Sequence, residues 1–365
     1  MAFPDKPIAH LLGSNGPVHA LAYSASPGTY ILAGSADRSI RLYNPQPSTS
    51  IHPASSHLSR KSDHAAASAL PVGRLIQTYS AHGYEVLSLS VSADNAHFAS
   101  AGGDRSVFLW DVATAQTLRR FGSGGGSSGH SARVNAVSFA GEDDSLLVSG
   151  GLDSSVRVWD VRSGAPKPVQ VLAEARDAVT ALAVHGPQII AGSVDGRVRT
   201  YDVRAGRCVT DVVGPSVTSL CLTRDGKAVL VGALDSKLRL MDRESGGCLK
   251  TYADAGWKNE DLRVQSILGG KEQYILVGDE MTALPGQRAE GRIWAWDVVT
   301  GELKTTIRVP WGPAGSEPKK KAIGKDGKEK ERTNVISCLA WREGGFGDQF
   351  CASGSSGVVT VYGYN

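Results

Sequence analysis

The hydrophobic and polar positions of this chain follow one pattern that returns along most of its length. A run of small residues ends near an aspartate, a short turn follows, and apolar positions then alternate with polar ones up to a large side chain and Asp or Asn. Residues 149–160 show the pattern most clearly, and 37–44, 100–111, 191–202 and 235–242 repeat it. Alternation on both sides of a tight turn predicts two antiparallel strands joined by a hairpin.

The spacing of the turn aspartates defines the repeating unit. Asp104 and Asp153 lie 49 residues apart, the next interval, to Asp195, is 42, and the one after it, to Asp235, is 40. Repeats of roughly 40 to 45 residues, built from short strands and closed by Trp-Asp, are typical of β-propeller blades.

Two of these five copies end in the pair itself, at Trp110-Asp111 and Trp159-Asp160, and on these residues the chain resembles the WD-repeat family. The resemblance covers nearly the whole chain. It implies an all-β fold, a seven-bladed WD-repeat β-propeller forming a single domain over residues 1–365. The apolar run Ile8–Leu12 precedes the first repeat, and Val358–Tyr362 is a third strand without a fourth after it. We therefore predict that the N-terminal strand closes the ring, which removes two open sheet edges.

Three segments interrupt the pattern and are predicted to be disordered insertions, at 45–73, 122–129 and 314–332. The first contains His52, His57 and His64, but without carboxylate or thiol partners at fixed spacing they do not indicate a metal site. The third contains Lys319, Lys320 and Lys321. We interpret this basic segment as a solvated loop, with a nuclear import signal or an arm that contacts RNA phosphates as alternatives.

Composition narrows the class of protein. The 43 glycines suit a fold rich in turns, and a net charge of +3 is too small for nucleic-acid binding to follow from composition alone. Five scattered cysteines fit a reducing compartment, and we expect no metal and no cofactor. The first 12 residues do not resemble a secretory signal, and no apolar run is long enough to span a membrane. We expect a nuclear and cytoplasmic protein without membrane or small-molecule ligands.

One constellation of side chains has the composition of a hydrolase site. It occurs twice, as His82, Ser100, Asp104 and Trp110, and as His130, Ser149, Asp153 and Trp159. Repeats that have Ala175 or Val213 in place of the histidine also lose the serine and the Trp. Residues that appear and disappear together indicate a buried hydrogen-bonded tetrad rather than a catalytic triad, because a half-satisfied polar network is costly. The family resemblance implies the same structural role.

A candidate partner-binding face follows from aligning the repeats on their first strands. The loops that lead into the repeats then share an aromatic or arginine side chain: Tyr84, Arg133, Arg176, Trp257, Arg263 and Arg332. Arginine offers forked donors to carboxylates and phosphates, and aromatic residues supply apolar anchors. Ordinary solvated side chains are the alternative. In the sixth repeat the pattern leaves open whether Glu290 or Asp279 is the turn acid.

The function suggested by this pattern is a non-catalytic interaction scaffold. In residues 174–177, 191–199, 201–204 and 234–240 the chain resembles a subgroup of WD-repeat scaffolds associated with the spliceosome, which implies protein partners in pre-mRNA splicing. Members of that subgroup also organise mitogen-activated protein kinase cascades, which is one alternative. A substrate receptor of a cullin ubiquitin ligase is another, because Arg162 and Arg204 complete two W/Y-D-V-R boxes in consecutive repeats.

Overall fold

The computed structural model describes residues 3–47, 70–122, 128–280, 290–313, 322–323, 329–330, 334–342 and 347–364. Within these ranges the strands form seven antiparallel four-stranded sheets and one two-stranded hairpin. First strands of neighbouring sheets contact each other, so they form the inner wall of a ring. The predicted seven-bladed β-propeller is therefore confirmed.

Blades one to six each use four consecutive strands, numbered from the inner strand outwards. Blade one comprises β2 (Val18–Tyr23), β3 (Ile31–Ser35), β4 (Ser39–Pro47) and β5 (Gly73–Ser80). Blade two comprises β6 (Val86–Val91), β7 (His97–Gly102), β8 (Val107–Asp111) and β9 (Thr117–Phe121). Blade three comprises β10 (Val134–Ala140), β11 (Leu146–Gly151), β12 (Val156–Asp160) and β13 (Gln170–Leu172).

The remaining blades follow the same order. Blade four comprises β14 (Val179–His185), β15 (Gln188–Ser193), β16 (Arg197–Asp202) and β17 (Arg207–Val212). Blade five comprises β18 (Val217–Leu222), β19 (Ala228–Ala233), β20 (Lys237–Asp242) and β21 (Cys248–Tyr252). Blade six comprises β22 (Ser266–Gly269), β23 (Tyr274–Gly278), β24 (Gly291–Asp297) and β25 (Leu303–Val309).

Blade seven joins the two ends of the chain. Its inner strands are β28 (Ile336–Trp341), β29 (Phe350–Gly354) and β30 (Val359–Gly363), and its outer strand is β1 (Lys6–Leu11). Ala9 pairs with Val361 and Leu11 with Val359, and both partners of each pair are buried. The predicted closure by an N-terminal strand is confirmed.

The predicted insertions lie largely outside the described residues, so their disorder stays a prediction. At their edges the chain is regular: β4 continues to Pro47 and β5 begins at Gly73. Within 314–332 the structure describes only a short antiparallel hairpin, β26 (Ala322–Ile323) with β27 (Glu329–Lys330). A single turn of 3-10 helix, Glu142–Asp144, joins β10 to β11.

A β-bulge near the start of the inner strand recurs in six of the described blades, and it turns one extra residue out of the ladder. In three of them the extra side chain donates to the first inner-strand residue of the next blade. Asn135 donates to the Val179 carbonyl at 2.8 Å, Thr180 to that of Val217 at 2.6 Å and Ser337 to that of Val18 at 3.5 Å. These bonds tie adjacent blades together around the centre of the ring.

Candidate functional site

The two tetrads form continuous hydrogen-bonded chains inside blades two and three. In blade two, His82 Nδ1 lies 2.5 Å from Asp104, His82 Nε2 lies 2.7 Å from Ser100 Oγ, and the Trp110 indole donates to the same oxygen at 2.8 Å. Ser100 is fully buried. Because this serine already links the Trp and the His, its oxygen is not free to attack a substrate.

Blade three repeats this geometry. His130 Nε2 lies 2.8 Å from Ser149 Oγ, Trp159 donates to that oxygen at 2.8 Å, and His130 Nδ1 lies 2.9 Å from Asp153. The Asp153 carboxylate also accepts the Ser131 amide and the Ser155 hydroxyl. Burial raises the pKa of Asp153, but these hydrogen bonds, with that from His130 the largest, outweigh burial and lower it. The carboxylate is thus held ionised at the hairpin turn.

Blades one, four and five use an arginine where blades two and three use a histidine, a substitution that was not predicted from the sequence. Asp37 pairs with Arg41 at 2.8 Å, Asp195 with Arg199 at 2.6 Å and Asp235 with Arg239 at 2.5 Å. In all three the arginine lies four residues after the turn aspartate, on the next strand. The D-x-x-x-R spacing was visible in the sequence, and blade three has it as well, with Arg157 3.8 Å from Asp153 in addition to His130.

Blade six holds one of the two candidate acids, Asp279, in its core. Asp279 is buried and accepts a hydrogen bond from the Trp294 indole at 2.9 Å. Trp294 pairs with Val277, the ladder position that Arg199 occupies opposite Ala191 in blade four. By this register Asp279 stands two residues after Val277, as Ser193 does after Ala191, and the indole contacts it where blade four has the guanidinium.

The loops that lead into the blades surround one face of the disc, which we call the leading face. Tyr84 is 64% exposed there, and Arg133 and Arg176 are exposed as well. Neither guanidinium has a hydrogen bond or an ion pair with another described residue. Arg332 lies outside the described residues.

Trp257 does not belong to this face, which corrects the prediction. Its side chain is 3% exposed, its indole nitrogen donates to the Gly278 carbonyl at 2.9 Å, and its ring packs edge-to-face on Trp296. The loop that contains it folds inward because Glu280 accepts the amides of Glu260, Asp261 and Leu262. The tryptophan is thus a core residue of blade six.

Arg263 extends over the central channel of the disc. It precedes β22 in blade six, and its Nη1 donates to the Asn135 carbonyl of blade three at 3.0 Å, on the opposite side of the ring. The side chain stays accessible to water although protein surrounds it. That surrounding protein, and secondly the charge of Arg133, lower the pKa of Arg263 to about 10, so it remains charged at neutral pH.

The channel has a volume of about 360 Å³. Its wall contains Arg133, Arg263 and His19 together with serine, threonine, asparagine and glutamine side chains. None of the described residues that line it is Asp or Glu. His19 lies 3.9 Å from Glu85 at the rim. Burial lowers the pKa of His19, so Arg133 and Arg263 supply the positive charge at this opening on the leading face.

Arg162 and Arg204 occupy equivalent turns after the third strands of blades three and four. In each turn a strand-ending aspartate, Asp160 or Asp202, accepts the arginine's backbone amide, at 2.8 and 3.0 Å. Both side chains are exposed, and Arg162 reaches Asp143 at 3.6 Å. Both side chains thus face solvent on neighbouring blades, Arg162 within an exposed ion pair.

The remaining predictions concern features that the structure describes only in part. Lys319, Lys320 and Lys321, as well as His52, His57 and His64, lie outside the described residues. In the described part of the chain no group of three or more His, Cys, Asp or Glu side chains is placed to hold a metal ion. Over the same residues, no helix has the length and apolar character needed to cross a membrane.

Seven four-stranded blades, with the hydrogen-bonded Trp, Ser, His and Asp in two of them, define a WD-repeat β-propeller, a class of protein that serves as an interaction scaffold. The family profile described as WD domain, G-beta repeat, matches residues 5–44, 73–111 and 125–160. The chain belongs to the WD-repeat family, on the branch that includes WD repeat domain-containing protein 83.

Similarity to that protein extends over most of the chain in mammals. The Mus musculus protein is 38% identical over 306 residues, which are 84% of this chain and 83% of that protein. The Homo sapiens protein is 37% identical over 309 residues, 85% and 84% of the two chains. For the Dictyostelium discoideum homolog the match is 30% over 175 residues, so this chain spans 44% of that relative's length.

Proposed function

We propose that this scaffold works in the pre-mRNA splicing machinery, in both nucleus and cytoplasm, and has no catalytic activity of its own. The similarity to WD repeat domain-containing protein 83 and the subgroup resemblance of blades four and five support this assignment. The single observation that carries the mode of binding is the unpaired guanidinium groups on the leading face.

The leading face suits acidic or phosphate-bearing partners. The guanidinium groups of Arg133 and Arg176 project from neighbouring blades, and no described carboxylate neutralises either one. Tyr84, on blade two beside Arg133, adds exposed apolar area with a polar tip. Aromatic and arginine side chains provide much of the affinity at protein interfaces, so these residues form a candidate contact surface across three neighbouring blades.

The test is the double variant Arg133→Glu/Arg176→Glu. Both side chains are exposed, so the melting temperature is expected to stay close to that of the unmodified protein. Recovery of the variant in purified spliceosomes is expected to fall, because reversed charges oppose acidic partners. A matched control is Arg207→Glu, an exposed arginine on the outer strand β17. Normal incorporation of the double variant would reject the face, and absence of the unmodified protein from spliceosomes would reject the assignment to splicing.

A second candidate is a substrate receptor of a cullin ubiquitin ligase, favoured by the equivalent positions of Arg162 and Arg204. The exposed Arg162–Asp143 pair contributes little stability and leaves the arginine available. Changing both arginines to Glu is expected to abolish co-purification of a propeller adaptor without affecting spliceosome recovery. If no adaptor accompanies the unmodified protein, this candidate is excluded.

A scaffold for a mitogen-activated protein kinase cascade is compatible with the same fold. Similarity to WD repeat domain-containing protein 83, the mitogen-activated protein kinase organizer, favours it. Affinity purification with cross-linking from separate nuclear and cytosolic extracts separates the two roles. Kinases cross-linked in the cytosol without splicing factors in the nucleus would favour the kinase role over splicing.

A further inference from the structure

The outer strand of each blade lies at the rim of the disc. An open strand edge attracts other strands, and proteins usually protect it by making the strand short or by placing a bulge, Lys or Pro in it. Here β13 has only three residues, and the pairing of β1, β5, β9, β21 and β25 is irregular. The six residues of β17 pair with β16 without any register shift, and none of them is Lys or Pro. Among the described outer strands, β17 therefore presents the most regular edge.

Asp211 of β17 occupies a position where the other six blades have a buried apolar or aromatic side chain. It pairs with Val198, near the start of the third strand. The equivalent residues are Leu11, Tyr79, Phe121, Leu172, Tyr252 and Ile307. The half-buried Asp211 carboxylate has no hydrogen bond or ion pair with another described residue, and burial raises its pKa. An opposite charge beside a carboxylate favours its ionised form, so this position suits a cation from another molecule.

The backbone groups of β17 point alternately toward β16 and away from it. Val213, directly after the strand, donates its amide to the Gly196 carbonyl. In an antiparallel ladder every second residue directs both its N–H and its C=O to the same neighbour. Residues 207, 209 and 211 therefore bond to β16, whereas Cys208, Thr210 and Val212 direct their backbone groups outward.

A second copy of β17 can add to this edge in antiparallel orientation about a twofold axis. Residues with outward backbone groups must then oppose each other, so only every second register is available. The register centred on Val209 places Arg207 opposite Asp211 of the second copy, and this contact occurs twice. A centre at Thr210 would place Asp211 opposite Val209, and a centre at Asp211 would bring two carboxylates together, which is destabilising. Charge thus selects the register centred on Val209.

We propose that two copies of this chain pair through β17, in the antiparallel register centred on Val209, and form a dimer joined rim to rim. Val209 is 58% exposed in the single chain and is covered in the pair. Arg207 is exposed and has no side-chain partner among the described residues, so Asp211 of the other copy supplies its counter-charge. One added strand pair buries less area than a permanent interface, so the dimer forms reversibly and depends on protein concentration.

Sedimentation velocity of the purified full chain over a concentration series tests the pairing, and a monomer–dimer equilibrium is expected. Thr210→Pro removes an outward N–H without removing a bond to β16, so it should raise the dissociation constant by about tenfold or more while the melting temperature stays unchanged. Thr210→Ala keeps the N–H and is the matched control. A chain that stays monomeric throughout the series, or equal dimerisation of the two variants, would overturn the proposal.

Charge exchange tests the contact between Arg207 and Asp211. Arg207→Glu and Asp211→Arg each place like charges opposite one another and should weaken the dimer, whereas the double variant restores opposite charges and should recover it. A double variant as weak as the single ones would overturn the register. Arg207 lies on the rim and not on the leading face, so Arg207→Glu should lose the dimer and still enter spliceosomes. The dimer and the splicing assignment therefore fail or succeed in separate measurements.

Disulfide trapping locates the centre of the pair. Val209→Cys, in a background where the exposed Cys208 and Cys248 are changed to Ser, should give a covalent dimer on oxidation with diamide, because the two copies of residue 209 face each other. Val212→Cys is the control, since Val212 is 70% exposed but its two copies lie about 20 Å apart along the strands in this register. Equal cross-linking at the two positions would overturn the register.

Discussion

The guanidinium of Arg199 lies against the carboxylate of Asp195, with Nη2 and Oδ2 2.6 Å apart and the side chains 3% and 10% exposed. The same arginine donates to Ser193, which in turn donates to Asp195. This closed set of bonds holds the hairpin of blade four as the tetrads hold those of blades two and three. Two different side chains thus perform one structural task in a single ring.

Replacing Arg199 with Met is expected to destabilise the protein by about 3 kcal/mol, because removing one member of a buried pair leaves the other charge uncompensated. Arg197→Met is the control, since Arg197 lies on the same strand, is half-buried and makes no side-chain hydrogen bond within the described residues. Denaturant unfolding followed by fluorescence measures both. Equal effects of the two variants would contradict a special role for the pair.

Stability should depend on pH through the same aspartate. Burial raises the pKa of Asp195, but the hydrogen bonds from Arg199 and Ser193 outweigh it and bring the pKa to about 2, below its usual 3.8. A depressed folded-state pKa contributes stability above the unfolded value that is lost as pH falls toward the folded one. The stability difference between unmodified protein and Asp195→Asn should therefore be constant above about pH 5 and shrink between about pH 4 and 2. A difference independent of pH would contradict the shift.

Removing the tetrad acids should affect folding and not binding chemistry. Asp104→Ala and Asp153→Ala each remove the carboxylate that pairs with the Nδ1 of a buried histidine and with a turn amide, at a cost of about 1 to 3 kcal/mol. Asp143→Ala is the control, because that side chain is 82% exposed. Thermal unfolding measures stability, and spliceosome recovery measures binding. Full stability combined with lost binding would show that the tetrads are sites rather than structural supports.

The residue after the turn aspartate adopts a left-handed conformation in five blades of the described structure. Ser154 has φ 61° and Ser236 φ 55°, whereas blade four has Gly196 with φ 72°. Ser154→Gly should therefore stabilise blade three by about 1 kcal/mol, the usual penalty of that region for a residue with a Cβ. Gly196→Ala should do the opposite, because its Cβ would lie 2.0 Å from the Gly214 carbonyl oxygen. A melting temperature lowered by Ser154→Gly would contradict this account.

Deletion of residues 1–13 should lower the melting temperature substantially. The deletion removes β1, exposes the edge of β30, and uncovers the buried faces around Ala9 and Leu11. Lys6→Ala, at an exposed position of the same strand, serves as the control and should leave the melting temperature unchanged. An unaltered melting curve for the deletion would mean that the ring does not depend on this closure.

Much of the fold was predictable because the repeat is local. Alternation and turn residues lie within a dozen positions of one another, and closure follows from counting strands. The burial of side chains that depends on packing between distant residues was not predictable. The sequence predicts Trp257 to be an exposed loop residue. It is buried because Glu280 accepts backbone amides of the same loop. No local pattern marks that contact.

The side-chain contacts across the central channel could not be predicted from local patterns either. Alignment of the repeats identified Arg133 and Arg263 as residues of one face, because equivalent loops lie on the same side of a propeller. Arg263 reaches Asn135 only because blades three and six lie opposite each other in the ring, and the sequence does not show that arrangement. The arginines that pair with the turn aspartates of blades one, four and five differ from Arg263, because their spacing from aspartate is local and was visible in the sequence.

The pairing of Lys6 with Gly363 sets an order of events during synthesis of the protein. β1 leaves the ribosome before every other described strand, and its partner β30 follows all of them. Until β30 appears, the apolar side of β1 and the inner blades have no final neighbour, and an unpaired strand edge invites aggregation. A chain that is truncated anywhere before the last blade therefore forms an open arc of blades with an exposed strand edge and cannot close into a smaller ring.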